Sequence, residues 1–189
     1  MPILTIYDNT FRNHFETMWV MKSAYRYLNI SSCIVKPKTL KLIYIQRAGA
    51  RQIVNEGDVL DALYKQIGLE VLVTRLENLP PVSQVRLFST ADIAFGVHGA
   101  GFVNIVWLMP YSGLFEILNP KFYRSYYNNM AFKKKLFYTC FRNATVSQRF
   151  KIANPRDLDV KLDIQSFVMF MRTMVVNIMT TKYALVYSV

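Results

Sequence analysis

A chain of 189 residues is long enough to form one ordinary domain with a buried core. Its hydrophobic content of 52% and aromatic content of 14% exclude a disordered chain, and its two cysteines exclude a disulfide-rich scaffold. The formal net charge of +11 predicts an anionic partner, and composition alone leaves open a phosphate-bearing small molecule, a nucleic acid or an acidic membrane.

The amino-terminal segment, residues 1–39, is predicted to be a helical lead-in. Apolar spacing predicts a helix over Phe15–Leu28, and the proline in "VKPKT", residues 35–39, separates this helix from the first predicted strand. Residues 1–13 carry Asp8 and Arg12 and contain no apolar stretch typical of a signal peptide. The sequence leaves open whether Cys33 and Cys140 form a disulfide.

From residue 40 onward, strand patterns alternate with helical patterns. Strands are predicted for residues 40–46, 69–76, 92–97 and 114–118, and helices for 55–68, 80–91 and 101–109, with a loop and a helix over 123–135. Asn55 is expected to cap the first of these helices. This alternation predicts an α/β fold, a Rossmann-like parallel sheet with helices on both faces, over residues 40–165. Residues 166–189 are predicted to be a carboxyl-terminal packing helix, because Arg172 and Lys182 interrupt its apolar run.

Cationic and small residues come directly after the predicted strands. Arg47 and Arg51 follow the first strand, the turn His98–Gly101 follows the third, and Glu116 ends the fourth. In an open parallel sheet, ligands bind beyond the carboxyl ends of the strands. Exposed backbone amides and guanidinium groups suit phosphate, and a carboxylate suits ribose hydroxyls. Each residue alone has a common structural explanation, so together they predict only a phosphate-bearing ligand.

Two other classes of function stay open. The glycines at 96, 99 and 101 depart from the dinucleotide pattern G-x-G-x-x-G because His98 takes the middle glycine position, which argues against a nicotinamide-dependent oxidoreductase. A non-catalytic basic binding module is the other alternative, although no nucleic-acid motif is present and no nucleic-acid partner is expected. With two histidines in the chain, a histidine-based metal centre is not expected.

Two stretches, "LIYIQRAGARQIVNEGDVLDAL" and "QVRLFSTADIAFGVHGAGFVNIVWLMPYSGLFEILNP", resemble the carboxyl-terminal half of glycosyltransferase family 61. That family contains EGF-domain-specific O-linked N-acetylglucosamine transferases, protein O-mannose β-1,4-N-acetylglucosaminyltransferases and plant xylosyl- and arabinosyltransferases. The matching positions are Arg47, Arg51, Asn55, Glu56, Gln84, Ala91, Asp92, Gly96, His98, Gly99, Ala100, Gly101, Asn104 and Glu116.

The resemblance implies the donor-binding half of a GT-B enzyme that inverts the anomeric carbon of a UDP-sugar. It implies that Arg47, Arg51, Asn55, Asn104 and Glu116 and the turn His98–Gly101 bind the donor, without a metal or another cofactor, and it makes His98 a candidate catalytic residue. The implied donor is UDP-N-acetylglucosamine or UDP-xylose, the implied acceptor is a protein or glycoprotein hydroxyl, and the implied location is the lumen of the endoplasmic reticulum or Golgi. Family members are about twice as long, so the sequence is expected to be a fragment or a truncated relative that lacks the acceptor half.

Overall fold

Five parallel strands form the central sheet. The computed structural model describes residues 11–31, 39–122, 124–147 and 157–187. The strands are β1 (Leu42–Ile45), β2 (Val71–Thr74), β3 (Ile93–Val97), β4 (Gly113–Ile117) and β5 (Phe137–Phe141), in the order β2-β1-β3-β4-β5. Each neighbouring pair is parallel, so the predicted α/β class is confirmed. The first four strands were predicted, and β5 was not.

Helices cover both faces of this sheet. The helices are α1 (His14–Tyr27), α2 (Glu56–Ala62), α3 (Pro81–Thr90), α4 (Tyr126–Lys134) and α5 (Ile164–Tyr187), and α1 packs on α4. A π-helical turn over Leu63–Ile67 extends α2, and a short 3₁₀ turn over Leu76–Asn78 follows β2. On β1, Leu42 and Tyr44 join the core beneath α2 and α5, whereas Ile43 and Ile45 join the core beneath α3 and α4. This alternation is the period of two that a strand buried on both faces requires.

The helix predicted over 101–109 is a 3₁₀ helix, Ala100–Trp107. A 3₁₀ helix of eight residues is unusually long, because its hydrogen bonds are less well aligned than those of an α-helix. The side-chain amide of Asn104 donates to the Gly101 carbonyl at 3.2 Å, a bond over three residues that accompanies the tighter winding. The prediction of helical structure at this place is confirmed, and the helix ends two residues earlier than predicted.

A second, two-stranded sheet lies against the loop that follows β1. Its antiparallel strands are β6 (Ala144–Ser147) and β7 (Asp159–Leu162), neither of which was predicted. The backbone of Val160 in β7 bonds Gln52 and Val54 on that loop, at 2.9 and 2.8 Å. These bonds fix the loop that carries both arginines of the predicted site.

The carboxyl-terminal helix α5 packs on the sheet at two places. The ring of Phe167 contacts Phe95, Phe115 and Phe141, with ring centroids 5.1–6.0 Å apart. Near the other end of the helix, the buried Lys182 ammonium donates to Asp92 at the start of β3. Within the described residues, no helix has both the length and the hydropathy that a membrane crossing needs.

The amino-terminal helix α1 belongs to the same packed body. Met21 and Tyr25 are buried, and the Tyr25 hydroxyl donates to the Trp107 carbonyl at the end of the 3₁₀ helix. The predicted helix over Phe15–Leu28 therefore exists within one residue of its bounds. Cys33 lies outside the described residues, and Cys140 is a free thiol within them.

Candidate functional site

The site lies at the carboxyl edge of the sheet, where β1, β3 and β4 end side by side. Ile45 of β1 pairs in register with Gly96 of β3, and Gly96 pairs with Glu116 of β4. The segments that follow β1 and β3 therefore begin at the same height along the strands. A parallel sheet makes this arrangement necessary, because the carboxyl ends of all its strands share one edge. Arg47, the His98 turn and Glu116 are therefore brought together from positions far apart in the sequence.

Two guanidinium groups lie against Gly99. A Cβ atom placed on Gly99 would be 3.4 Å from Nη1 of Arg47 and 3.5 Å from Nη1 of Arg51. The Arg51 Nη1 also donates to the backbone carbonyl of His98 at 3.1 Å. The backbone of Gly99 is extended, with φ 178°, so its lack of a side chain relieves no backbone strain. Its small size matters instead because it lets both cations approach the turn.

The loop that carries the arginines is held in a constrained shape. Arg51 has a φ of +62°, in the left-handed region that non-glycine residues rarely adopt. Such a conformation persists where neighbouring structure fixes it, and here the bonds from Val160 hold the next residues of the loop. The Nε of Arg51 lies 3.6 Å from a carboxylate oxygen of Asp157. The Nε of Arg47 is buried and has no hydrogen-bond acceptor among the residues that the structure describes.

The turn itself is packed tightly against β1. A Cβ on Gly101 would be 3.0 Å from Leu76 Cδ1 and 3.2 Å from Ile45 Cγ2. Gly96 has a φ of +159°, and a Cβ there would be 2.9 Å from the Ile45 carbonyl oxygen. The close approach to β1 explains why positions 96 and 101 are glycine. It does not explain the glycine at position 99, which lies against the two arginines.

His98 and Glu116 form a buried pair. The Nδ1 of His98 is 2.5 Å from Oε1 of Glu116, whose side chain is 0% exposed. The other carboxylate oxygen accepts a hydrogen bond from the Tyr138 hydroxyl at 2.6 Å. The predicted ribose-binding carboxylate therefore lies beneath the imidazole, with both of its oxygens already bonded. This geometry is typical of a group that positions a histidine.

Asn55 and Asn104 are also engaged by the protein. Asn55 donates to the Leu162 carbonyl and accepts from the Leu162 amide, at 3.0 and 2.9 Å, so it joins α2 to β7. Asn55 stands at the predicted cap position before α2, but its side chain makes no capping hydrogen bond because β7 takes both polar atoms of the amide. Asn104 donates to Gln84 at 2.9 Å, and Gln84 donates in turn to the carbonyls of Leu76 and Leu79.

Sequence reasoning missed two residues of the site, Tyr138 and Asp157. Both lie on or beside strands that were not predicted, and both reach the site from more than twenty residues away. The aromatic run "LFYTCF" at 136–141 was the available signal for β5, and no local pattern marked Asp157.

The concavity between Arg47, Gly99 and Gly101 is a shallow crevice with essentially no room for a water-sized molecule. Pockets that enclose a small molecule usually measure about 300–1,000 Å³. The crevice therefore does not enclose a nucleotide sugar. No group of three His, Cys, Asp or Glu side chains suited to a metal ion occurs within the described ranges.

The fold and the site define a Rossmann-like α/β domain whose cationic, glycine-containing turn lies at the carboxyl edge of a parallel sheet. The family model described as Glycosyltransferase 61 matches residues 3–115, more than half of the chain. The chain belongs to glycosyltransferase family 61, as the sequence resemblance predicted. All the candidate site residues except Glu116 lie within the matched range.

Three curated relatives illustrate the similarity. The EGF domain-specific O-linked N-acetylglucosamine transferase of Drosophila melanogaster is 30% identical over 81 residues, 42% of this chain and 16% of the relative. The Beta-1,2-xylosyltransferase of Arabidopsis thaliana is 29% identical over 97 residues, 46% of this chain and 18% of the relative. The Protein O-linked-mannose beta-1,4-N-acetylglucosaminyltransferase 2 of Takifugu rubripes is 28% identical over 95 residues, 48% of this chain and 16% of the relative. The matches thus span less than a fifth of each relative.

Proposed function

We propose that this chain contributes the donor site of a glycosyltransferase that uses a UDP-sugar. The observation that carries the proposal is the placement of Arg47 and Arg51 against Gly99, with the buried Arg47 Nε lacking an acceptor among the described residues. A buried polar atom without a partner costs stability, and a bound phosphate oxygen would remove that cost. Guanidinium groups match the geometry of phosphate oxygens.

In the proposed reaction, a hydroxyl oxygen of the acceptor attacks C1 of the donor sugar while the bond from C1 to the diphosphate oxygen breaks. The electron pair leaves with UDP, and the configuration at C1 inverts. Arg47, Arg51 and the turn His98–Gly101 would stabilise the negative charge that develops on the diphosphate. Because protein cations do this work in the proposal, no metal or other cofactor is required. His98 is the candidate to receive the acceptor proton.

The names of the relatives support a range of donors and acceptors. Among them are two N-acetylglucosamine transferases, which act on EGF domains or on protein-linked mannose, and a xylosyltransferase. We infer that UDP-N-acetylglucosamine is the first donor to test and UDP-xylose the second. The proposed acceptor is a protein or glycoprotein hydroxyl. The proposed location is the lumen of the endoplasmic reticulum or Golgi, where such acceptors are modified.

The shallow concavity limits what the chain does alone. Since the crevice between Arg47, Gly99 and Gly101 does not enclose a nucleotide sugar, we infer that further polypeptide surface completes the donor pocket. We therefore expect weak binding of UDP by the chain and little transfer. The resemblance to the donor half of GT-B enzymes agrees with this expectation.

Calorimetric titration tests the proposal. UDP, UDP-N-acetylglucosamine, UDP-xylose and NAD are compared, with and without EDTA. We expect the three uridine nucleotides to bind and NAD not to bind, with no effect of EDTA. Arg47→Ala should weaken UDP binding about 10- to 100-fold, because a hydrogen bond to a charged group contributes about 1.5–3 kcal/mol.

Arg172→Ala is the matched control, because it removes the same charge from α5, where Arg172 bonds the Gln66 carbonyl. It should leave the affinity for UDP unchanged. Equal weakening by both substitutions would show a general charge effect and would contradict the proposed site. Binding of NAD in preference to UDP would support the oxidoreductase alternative.

A further inference from the structure

A tyrosine outside the family match completes the buried pair of His98 and Glu116. Tyr138 lies on β5, beyond residues 3–115. Its hydroxyl donates to Glu116 Oε2 at 2.6 Å, and Glu116 Oε1 lies 2.5 Å from His98 Nδ1. The carboxylate is fully buried, so its charge is compensated by these partners and not by water.

The protons of this group can be assigned from its chemistry. Burial raises the pKa of Tyr138, and the neighbouring Glu116 carboxylate raises it further, so the phenol keeps its proton and acts as the donor. An ionised carboxylate accepts hydrogen bonds and donates none. Nδ1 of His98 must then carry a hydrogen in order to bond Oε1. In the neutral imidazole, this leaves Nε2 as the basic nitrogen.

Aromatic side chains hold the imidazole plane. The rings of Tyr127, Phe122 and Tyr126 lie 5.3, 5.5 and 6.5 Å from that of His98, between ring centroids. His98 is 7% exposed, so its ring has little freedom to rotate. A flip of the ring would also break the bond to Glu116. Packing and hydrogen bonding therefore select the same orientation.

We propose that Tyr138 is a positioning residue, which holds Glu116 so that His98 keeps its hydrogen on Nδ1 and offers Nε2 as a base. The use of Nε2 in catalysis rests on the proposed function. As the acceptor oxygen bonds C1 and UDP departs with its electron pair, Nε2 takes the acceptor proton. The resulting imidazolium is stabilised by the Glu116 carboxylate, as a buried acid stabilises the histidine in other acid–histidine pairs.

Nitrogen NMR of ¹⁵N-histidine-labelled chain tests the assignment without any nucleotide. The chain has two histidines, and His14→Gln identifies their signals. We expect His98 to show the Nδ1-protonated tautomer with a slowly exchanging ring hydrogen. In Tyr138→Phe, the ring hydrogen should exchange at least tenfold faster and the tautomers should mix. Tyr64→Phe, at a tyrosine that is 63% exposed, should leave the His98 signals unchanged.

Glu116→Gln gives a second test, in which the Tyr138 hydroxyl still donates to the side-chain oxygen and the amide nitrogen faces Nδ1 of His98. A glutamine amide that donates to Nδ1 should reverse the tautomer and place the hydrogen on Nε2. A wild-type spectrum with the hydrogen on Nε2, or identical His98 signals in wild type and Tyr138→Phe, would overturn the proposal. Failure of UDP to bind would instead refute the proposed function and leave the tautomer result standing.

Discussion

Substitution of Gly99 by alanine should separate ligand binding from folding. The extended backbone of Gly99 accepts alanine without strain. The new methyl group would lie 3.4 and 3.5 Å from the two arginine Nη1 atoms, which is ordinary to slightly tight contact. We therefore expect a change within about 0.5 kcal/mol in the free energy of unfolding, or about 1–2 °C in Tm for a chain of this size. The methyl group would nevertheless lie between the guanidinium groups, where the diphosphate is proposed to bind.

The expected loss of UDP affinity depends on the contacts that the methyl group displaces. If it removes one or two charge-assisted hydrogen bonds of about 1.5 kcal/mol each, the Kd for UDP should rise about 10- to 100-fold. Calorimetric titration measures the Kd, and thermal unfolding measures the Tm of the same samples.

Two other glycines serve as controls for Gly99→Ala. Gly57→Ala adds a methyl group in α2 with nothing within 4 Å and should leave UDP binding intact. Gly101→Ala would crowd Leu76 and Ile45 and should lower Tm. An unchanged Kd in Gly99→Ala would refute the proposed position of the diphosphate. A drop in Tm as large as that of Gly101→Ala would show that Gly99 is needed for folding instead.

Three further substitutions probe the site and the fold. Asp157→Asn should tighten UDP binding severalfold, because it removes a carboxylate that lies 3.6 Å from Arg51 and repels a diphosphate. The gain should be larger at low salt, which a titration at several salt concentrations measures, and weaker UDP binding by the variant than by wild type would contradict this prediction. Gly113→Ala would place a Cβ 2.5 Å from Met174 Sδ on α5 and should lower the free energy of unfolding by about 1–3 kcal/mol. Thermal unfolding measures this loss, and an unchanged Tm would show that α5 moves away from the new methyl group without cost. Burial lowers the pKa of Lys134 to about 7, so between pH 7 and 10 the unfolded chain binds a proton that the folded chain does not, and stability should rise with pH over this range. In denaturant titrations, Lys134→Met should abolish the rise of the free energy of unfolding with pH and stabilise the chain at pH 6 by about 1–3 kcal/mol. The same dependence on pH in wild type and variant would refute the lowered pKa of Lys134.

A strand of the sheet was predictable where its own sequence is a short apolar run between clear turns. Runs such as "LKLIYIQ" and "DIAFGV" are buried on both faces and lie between clear turns, so their strands were predicted within a few residues. β5 was missed because it is an edge strand, half-buried along most of its length, and comes after a run of three lysines. β6 and β7 have only four residues each, and β7 pairs with a loop more than a hundred residues earlier.

The site was predictable in outline for the same reason. The convergence of Arg47, Arg51 and the His98 turn at one edge follows from the parallel strands, since their carboxyl ends share that edge. The partners of Asn55 and Glu116 were not predictable, because each is chosen by a strand distant in sequence. Both residues were predicted to contact the donor, and the structure gives their polar atoms to Leu162, His98 and Tyr138.

These distant partners show how the site depends on the carboxyl-terminal third of the chain. Leu162 holds Asn55, Tyr138 holds Glu116, and Lys182 holds Asp92, and each of the three held residues belongs to the family pattern. The end of the family match at residue 115 is therefore not the end of the site. Changes in β5, β7 or α5 can alter the geometry of the arginines and of His98 while every residue of the motif stays in place. Differences in activity among relatives with the same motif should accordingly be sought in the strands that support it.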